Sequence, residues 1–299
     1  MLRAAGIQLH GTDDKERNLE KARRMARIAA DQGARLICFP ELFSTPWFPA
    51  DIRAEHFCLA EEIPGSMAES MQALARELEA VFILPFFEKC ASGKYFNTAL
   101  VVDADGEIAG KYRKIHVPQI PLWEEKAYFA SGDLGFPVME TRFARVGVQI
   151  CWDNFFPEGT RILALKGAQV VFAPTAAAFA SQEKWARAIC ANAAFNGIYI
   201  FRVNRVGKEA KQHFYGKSFC ATPEGEMAGG ASGVQEGVVL AEIDLAEIER
   251  TRRVWTFLRD RRPEVYGEIL GKEDSPQSTQ RTQRKENIYF KIPQWLVLQ

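Results

Sequence analysis

The sequence predicts an α/β layered protein in which helices cover both faces of the sheets, and three observations predict it. Short apolar runs of strand length alternate with longer segments whose apolar residues recur at helical spacing. Several runs are apolar at nearly every position, as in strands buried on both faces. The 299 residues, 47% apolar and 11% aromatic, can bury a large core in one domain of generous size or two small ones.

Taken in order, LRAAGIQL is a buried strand. Asp13, with Glu16 three residues later, forms a capping box for a helix whose apolar stripe is Leu19, Ala22, Met25, Ala26 and Ala29, and Gly33 stops it. LICFP ends the next strand and delivers Glu41; Ser66 to Glu79 is a helix, and VFILPFF is another buried strand. FNTALVVDADGEIAGKYRK is a hairpin turning at Asp105 and Gly106, with Lys114 near its end. Val146 to Ile150 is a strand, Pro157 to Lys166 a short helix with Pro in its first turn and Gly167 after it, and VVFAP the following strand. A longer helix, Gln182 to Asn196, precedes the strand GIYIFRVN. A glycine hairpin at TPEGE, a strand over Gly237 to Ile243 and a short helix from Leu245 complete the order. No segment repeats another.

Lys plus Arg equals Asp plus Glu at 38 each, so no basic excess argues for nucleic acid or an acidic membrane. The expected partner is a small molecule or another protein. No run approaches the ~18 apolar residues of a membrane span, and MLRAAGIQLHG lacks the apolar segment of a signal peptide, which points to the cytoplasm. The six cysteines, at 38, 58, 90, 151, 190 and 220, include no CxxC, and there are four histidines. Neither a zinc site nor a disulfide framework is indicated, so no metal is expected and the thiols are reduced. GKEDSPQSTQRTQRKEN, from Gly271, is polar, and IYFKIPQWLVL after it is apolar again. This predicts a domain over 1–271 and an extension over 272–299 that docks on its own domain or serves as an arm to another subunit.

Three residues carry candidate chemistry. In VQICWDNFFPE, the residues after Cys151 break the strand pattern at once, which places the thiol where a parallel sheet ends and ligand sites gather. The plain alternative is an inert buried cysteine. Cys38, inside a strand, and Cys190, in an alanine-rich helix, read as core. No histidine stands beside a pattern that would orient it as the base a thiol needs, but a carboxylate can serve. Glu41 follows Pro40 at a strand terminus, where an acid is either an exposed loop residue or an expensive buried one. Lys114 in KYRKIHVP is likewise carried to a loop, or forms one solvated basic edge with Lys111 and Arg113.

FPELF, KYRKIHVP and VQICWDNFFPE, in that order and spacing, resemble the three signature segments of the nitrilase superfamily of carbon–nitrogen hydrolases. The resemblance runs from about Leu2 to Gly267 and implies a four-layer αββα sandwich, assembled as a homodimer or larger homo-oligomer. It implies that Glu41 is the general base, Lys114 the cation that stabilises a tetrahedral intermediate and Cys151 the nucleophile. WEEKAYFASGD resembles the segment carrying a second site glutamate, which falls on Glu125 and not on Glu124. NRVG, FYGKSF and RRVWTFLRDRRPEVYG are similar to the branch that contains N-carbamoylputrescine amidase and β-ureidopropionase.

The implied reaction is hydrolysis of a small N-carbamoyl compound or amide, best matched by an N-carbamoylputrescine-like substrate, through a cysteine thioester, with ammonia released and no metal or organic cofactor. An ω-amidase or a true nitrilase uses the same residues, and a binding or assembly subunit needs none of them. The loop AAFASQEKWARA departs from the putrescine type, being shorter and less acidic. Either a distal ammonium in the substrate is met by Glu183 or by a residue of the 45–56 loop, or the substrate is another N-carbamoyl compound or a simple ω-amide. Trp47, Trp123, Trp152 and Phe179 are candidate pocket residues, against ordinary core packing.

Overall fold

A computed structural model describes residues 1–178, 181–209 and 211–271. In chain order the elements are β1 (Leu2–Gln8), α1 (Lys15–Asp31), β2 (Leu36–Cys38), α2 (Ser66–Leu78), β3 (Val81–Lys89), β4 (Tyr95–Val102), β5 (Ile108–Arg113), β6 (Val138–Glu140), β7 (Arg145–Val148), α3 (Pro157–Leu165), β8 (Val170–Thr175), α4 (Gln182–Asn196), β9 (Tyr199–Asn204), β10 (Val206–Glu209), β11 (Gln212–Tyr215), β12 (Phe219–Ala221), β13 (Met227–Ala228), β14 (Gly237–Ile243) and α5 (Leu245–Val254). These lie in one compact unit, Met1–Leu258. A second unit begins at Arg259; its described part holds two short 3₁₀ turns, Pro263–Val265 and Gly267–Leu270. The extension expected over 272–299 lies outside the described residues.

Two six-stranded sheets form the frame, in the orders β14-β1-β2-β3-β4-β5 and β13-β12-β9-β8-β7-β6. Each has three parallel strands at its centre, β1–β2–β3 and β7–β8–β9, flanked by antiparallel partners. Parallel neighbours need crossover connections, which α1, α2, α3 and α4 supply.

Alternate residues of the first sheet belong to different cores, because successive side chains of a strand point to opposite faces. Ala4, Leu36, Cys38, Val81, Ile83, Ala99 and Val101 pack with the second sheet, whereas Ala5, Ile7, Ile37, Phe82, Leu84, Leu100 and Val102 pack under α1 and α2. That double burial makes these strands read as unbroken apolar runs. It also corrects one expectation: helices cover one face of each sheet, and the other sheet covers the other face. The result is an αββα sandwich. The sheets are pressed together at Gly6, where a Cβ would stand 2.9 Å from the side chains of Phe201 and Val203.

Two local readings change. The cap of α1 is Asp14, whose side chain accepts from the Arg17 amide at 3.0 Å, and Glu16 pairs with Arg23 instead of reaching back to Asp13. β7 stops at Val148, two residues before the expected end. The predicted hairpin is present, closed by the Asp103 amide on the Glu107 carbonyl at 2.8 Å.

Candidate active site

The nucleophile candidate leaves its strand through a built turn. Asp153, fully buried, accepts from the amides of Ile150 at 3.1 Å and His116 at 2.9 Å and from the Tyr112 hydroxyl at 2.7 Å. Asn154 Nδ2 donates to the carbonyls of Gln149 and Cys151, each at 3.0 Å. Cys151 adopts a left-handed backbone, φ +47°. For a residue with a Cβ this costs on the order of 1 kcal/mol, which the surrounding hydrogen bonds offset. The sequence puts a cysteine at the end of an apolar strand, and this turn lifts it out of the ladder.

Glu41 sits on a second pinned turn, just beyond β2. Arg205 Nη1 donates to the carbonyls of Glu41 at 2.8 Å and Leu42 at 2.9 Å, and Nη2 to that of Thr45 at 2.8 Å. Glu209 pairs with Arg205 and accepts from the amides of Gly11 at 2.8 Å and Trp47 at 2.9 Å.

Lys114 is the first residue after β5. Its Nζ donates to Glu41 Oε1 at 2.7 Å and to Glu125 Oε2 at 2.6 Å, and none of the three side chains is exposed. Asn97 Nδ2 donates to the same Glu41 oxygen at 2.8 Å. Glu41 Oε2 and Glu125 Oε1 are buried and accept from none of the described residues.

Electrostatics follow from one cation meeting two acids out of reach of water. Burial works against the Lys114 charge, but Glu125 and Glu41 outweigh it and hold the ammonium above the ordinary lysine range. Burial pushes the Glu125 carboxyl up to about 8; Lys114 opposes this and Glu41 adds to it. Burial also pushes the Cys151 thiol well above its ordinary value. Glu41 and Glu125 push the same way, against Lys114 and a hydrogen bond from the backbone of Ala176. Burial and the two acids together favour the neutral thiol over the thiolate. Among the described residues no cluster of three or more His, Cys, Asp or Glu is arranged to hold a metal.

The structure brings together Glu41, Lys114, Glu125 and Cys151, drawn from both sheets and a 3₁₀ turn. The aromatic candidates differ in position. Trp123 Nε1 donates to the Ala176 carbonyl at 3.0 Å, on the peptide segment that bonds the thiol. Trp152 is half-buried and packs on Phe155, ring centroids 5.5 Å apart. Trp47 is core, edge-on to Phe214, with Nε1 donating to the Leu122 carbonyl at 3.1 Å. Phe179 lies outside the described residues. Sequence reasoning missed Asn97, Asp153, Arg205 and Glu209; the NRVG segment held a signal for Arg205.

Comparison with known proteins gives a consistent result. The carbon-nitrogen hydrolase family model matches residues 3–253. An N-carbamoylputrescine amidase of Solanum lycopersicum is 39% identical over 90% of this chain and 95% of its own. A citrullinase of Francisella tularensis subsp. tularensis is 36% identical over 91% of this chain and 99% of its own. The crystal structure of a carbon-nitrogen hydrolase from Helicobacter pylori G27 superposes with a TM-score of 0.86 at 33% identity, covering 90% of this chain and 98% of that one.

Proposed function

The chain belongs to the carbon–nitrogen hydrolase family, the nitrilase superfamily, and from that premise we propose that it hydrolyses an N-carbamoyl compound with Cys151 as nucleophile, Glu41 as proton carrier and Lys114 as oxyanion partner. N-carbamoylputrescine and citrulline, the namesake substrates of two relatives, share a terminal ureido group, and this supports the choice of reacting group. The observation that carries the assignment is Glu41 itself. One oxygen is held by Lys114 and Asn97, while the other is buried, unpartnered and part of a carboxylate that acts electrostatically on the Cys151 thiol.

In the proposed sequence Glu41 takes the thiol proton as Sγ bonds to the carbonyl carbon, and the oxyanion forms beside Lys114 Nζ and the Trp152 amide. Glu41 returns the proton to the departing nitrogen, the C–N bond breaks and ammonia leaves. Water then enters, gives a proton to Glu41 and attacks the thiocarbamate carbon; the C–S bond breaks, the thiol regains its proton, and the carbamic acid released falls apart to the amine and carbon dioxide. Glu125 keeps Lys114 in place. The residues do this without a cofactor.

The reading extends to a cytoplasmic enzyme acting as a homodimer or larger assembly. Six free cysteines support it, as do apolar side chains more than half exposed at Phe195, Val254 and Trp255. No helix among the described residues is long and apolar enough to cross a membrane.

The test is ammonia release from a panel of ureido compounds, ω-amides and nitriles, with intact-mass detection of an adduct on Cys151. Turnover of ureides by the wild type and none by Cys151→Ala is the expected result. Turnover of nitriles alone, or ureide turnover surviving in Cys151→Ala, refutes the proposal.

A further inference from the structure

Four cations are buried among the described residues: Arg113, Lys114, Arg202 and Arg205. Three of them meet carboxylates: Arg113 meets Glu88 and Asp133, Lys114 meets Glu41 and Glu125, and Arg205 meets Glu209. Arg202, on β9, pairs with no described carboxylate. It is 1% exposed, donates through Nη2 to the Tyr215 hydroxyl at 2.8 Å and through Nη1 to the Lys217 carbonyl at 3.3 Å, and its Nε has no partner among the described residues. The guanidinium lies over the rings of Trp185, 4.9 Å from the centroid, and Tyr215, 5.2 Å. A buried guanidinium with only neutral neighbours is strongly unfavourable and calls for an anion.

Its surroundings belong to the reaction centre. Trp185 packs at 4.5 Å on Phe155 of the nucleophile turn. Arg202 and Tyr215 both act electrostatically on Cys151. Tyr215 also hydrogen-bonds Ser181, the residue preceding α4. The Ser181 hydroxyl donates back to the Ala178 carbonyl at 2.8 Å and caps none of the amides of this 15-residue helix, whose positive end is linked to the arginine through Tyr215. The acids named for a distal ammonium pair with surface cations instead, Glu55 with Arg53 among them. Glu183 pairs with Arg187, the side chains 83% and 80% exposed, and Asp51 pairs with Lys211.

The geometry points to a carboxylate subsite: Arg202, with Tyr215 and the N-terminus of α4, holds an anionic group at the far end of the substrate. The enzyme then takes a ureido or amide compound that ends in a carboxylate, not in an ammonium. This rests on Cys151 being the reacting centre.

Three ureides with the same carbon spacer test it: 5-ureidopentanoate, N-carbamoylputrescine and butylurea, run beside the corresponding ω-amides. In the wild type, kcat/KM for the anionic ureide should exceed that for the cationic one by about a hundredfold or more. Arg202→Gln should collapse that ratio to within about threefold, mainly through KM of the anionic compound. Tyr215→Phe should narrow it by about tenfold, and together with the wild-type ratio it decides the matter if Arg202→Gln does not fold. A wild-type preference for the ammonium compound, or an unchanged ratio in folded Arg202→Gln, overturns the subsite. Inert ureides beside ω-amides that show the anionic preference would sink the ureido reading and leave the subsite standing. No turnover of either series by folded protein overturns both.

Discussion

Arg113 and Lys114 are neighbours at the end of β5, yet they serve two buried acid clusters of opposite character. Glu88 accepts from Thr98, from Lys111 and doubly from Arg113, so both its oxygens are filled and more than one cation faces it. Burial works against its charge, but Arg113, Lys111 and Thr98 overcome that and hold its pKa down at about 2. One residue on, the count inverts. A single Lys114 faces Glu41 and Glu125, each left with an unpartnered oxygen, and Glu125 is pushed up to about 8. The lesson is that charge stoichiometry separates a structural network from a reactive one. The saturated cluster fastens strands, whereas the undersupplied one retains acceptors that can take protons.

The contrast can be broken by mutation, beginning with the largest effect. Cys151→Ala should lower ammonia release by at least about 10⁴-fold with the melting temperature preserved. Glu41→Gln should lower kcat by about 10³-fold in a folded protein; near-normal kcat would remove the proton-carrying role from the undersupplied cluster. Arg113→Met should do the reverse. A loss of about 3 kcal/mol in urea denaturation is expected, because Glu88 loses its doubly bonded partner, while kcat/KM stays within about threefold.

Stability against pH sharpens the comparison further, since the two acids act with opposite sign. Glu125 at about 8 lies above its ordinary 4.5, so between these values the folded chain holds a proton that the unfolded chain has lost. Its contribution is complete below 4.5 and lost as pH rises to about 8, at no more than about 1.4 kcal/mol per pH unit. Glu88 at about 2 lies below 4.5, so its contribution is present above 4.5 and lost as pH falls toward 2. Urea midpoints across pH should show Glu125→Gln flattening the alkaline limb and Glu88→Gln the acid limb. Exchange of those two results would overturn the assignment.

The strand ends were legible in the sequence because a titratable or nucleophilic residue directly after an apolar run is visible in one dimension. Glu41 and Cys151 stand that way, whereas Lys114 follows the basic KYR run, and the order and spacing of all three carry the family resemblance. Glu125 was legible only through that resemblance, since nothing local marks a 3₁₀ turn that aims an acid at a lysine. Asn97 was not legible as a site residue, because its partner, Glu41, is 56 residues away, and Arg205, 164 residues from Glu41, was marked only by the NRVG segment. The sandwich likewise needed more than periodicity. Unbroken apolar runs say that both faces of a strand are covered, not whether a helix or a second sheet covers them. Arg202 stood in view inside GIYIFRVN, a charge in an otherwise apolar strand, and only the absence of a described counter-ion gives it meaning.

The proposed base and cation arrive on one sheet and the sulfur on the other, with Gly6 marking how closely the two are pressed together. Turnover is thus a gauge of docking between two halves that each retain their own strands and helices. Mild pressure or denaturant that eases the halves apart should silence ammonia release while circular dichroism still reports intact secondary structure, so the assay doubles as a caliper on the interior.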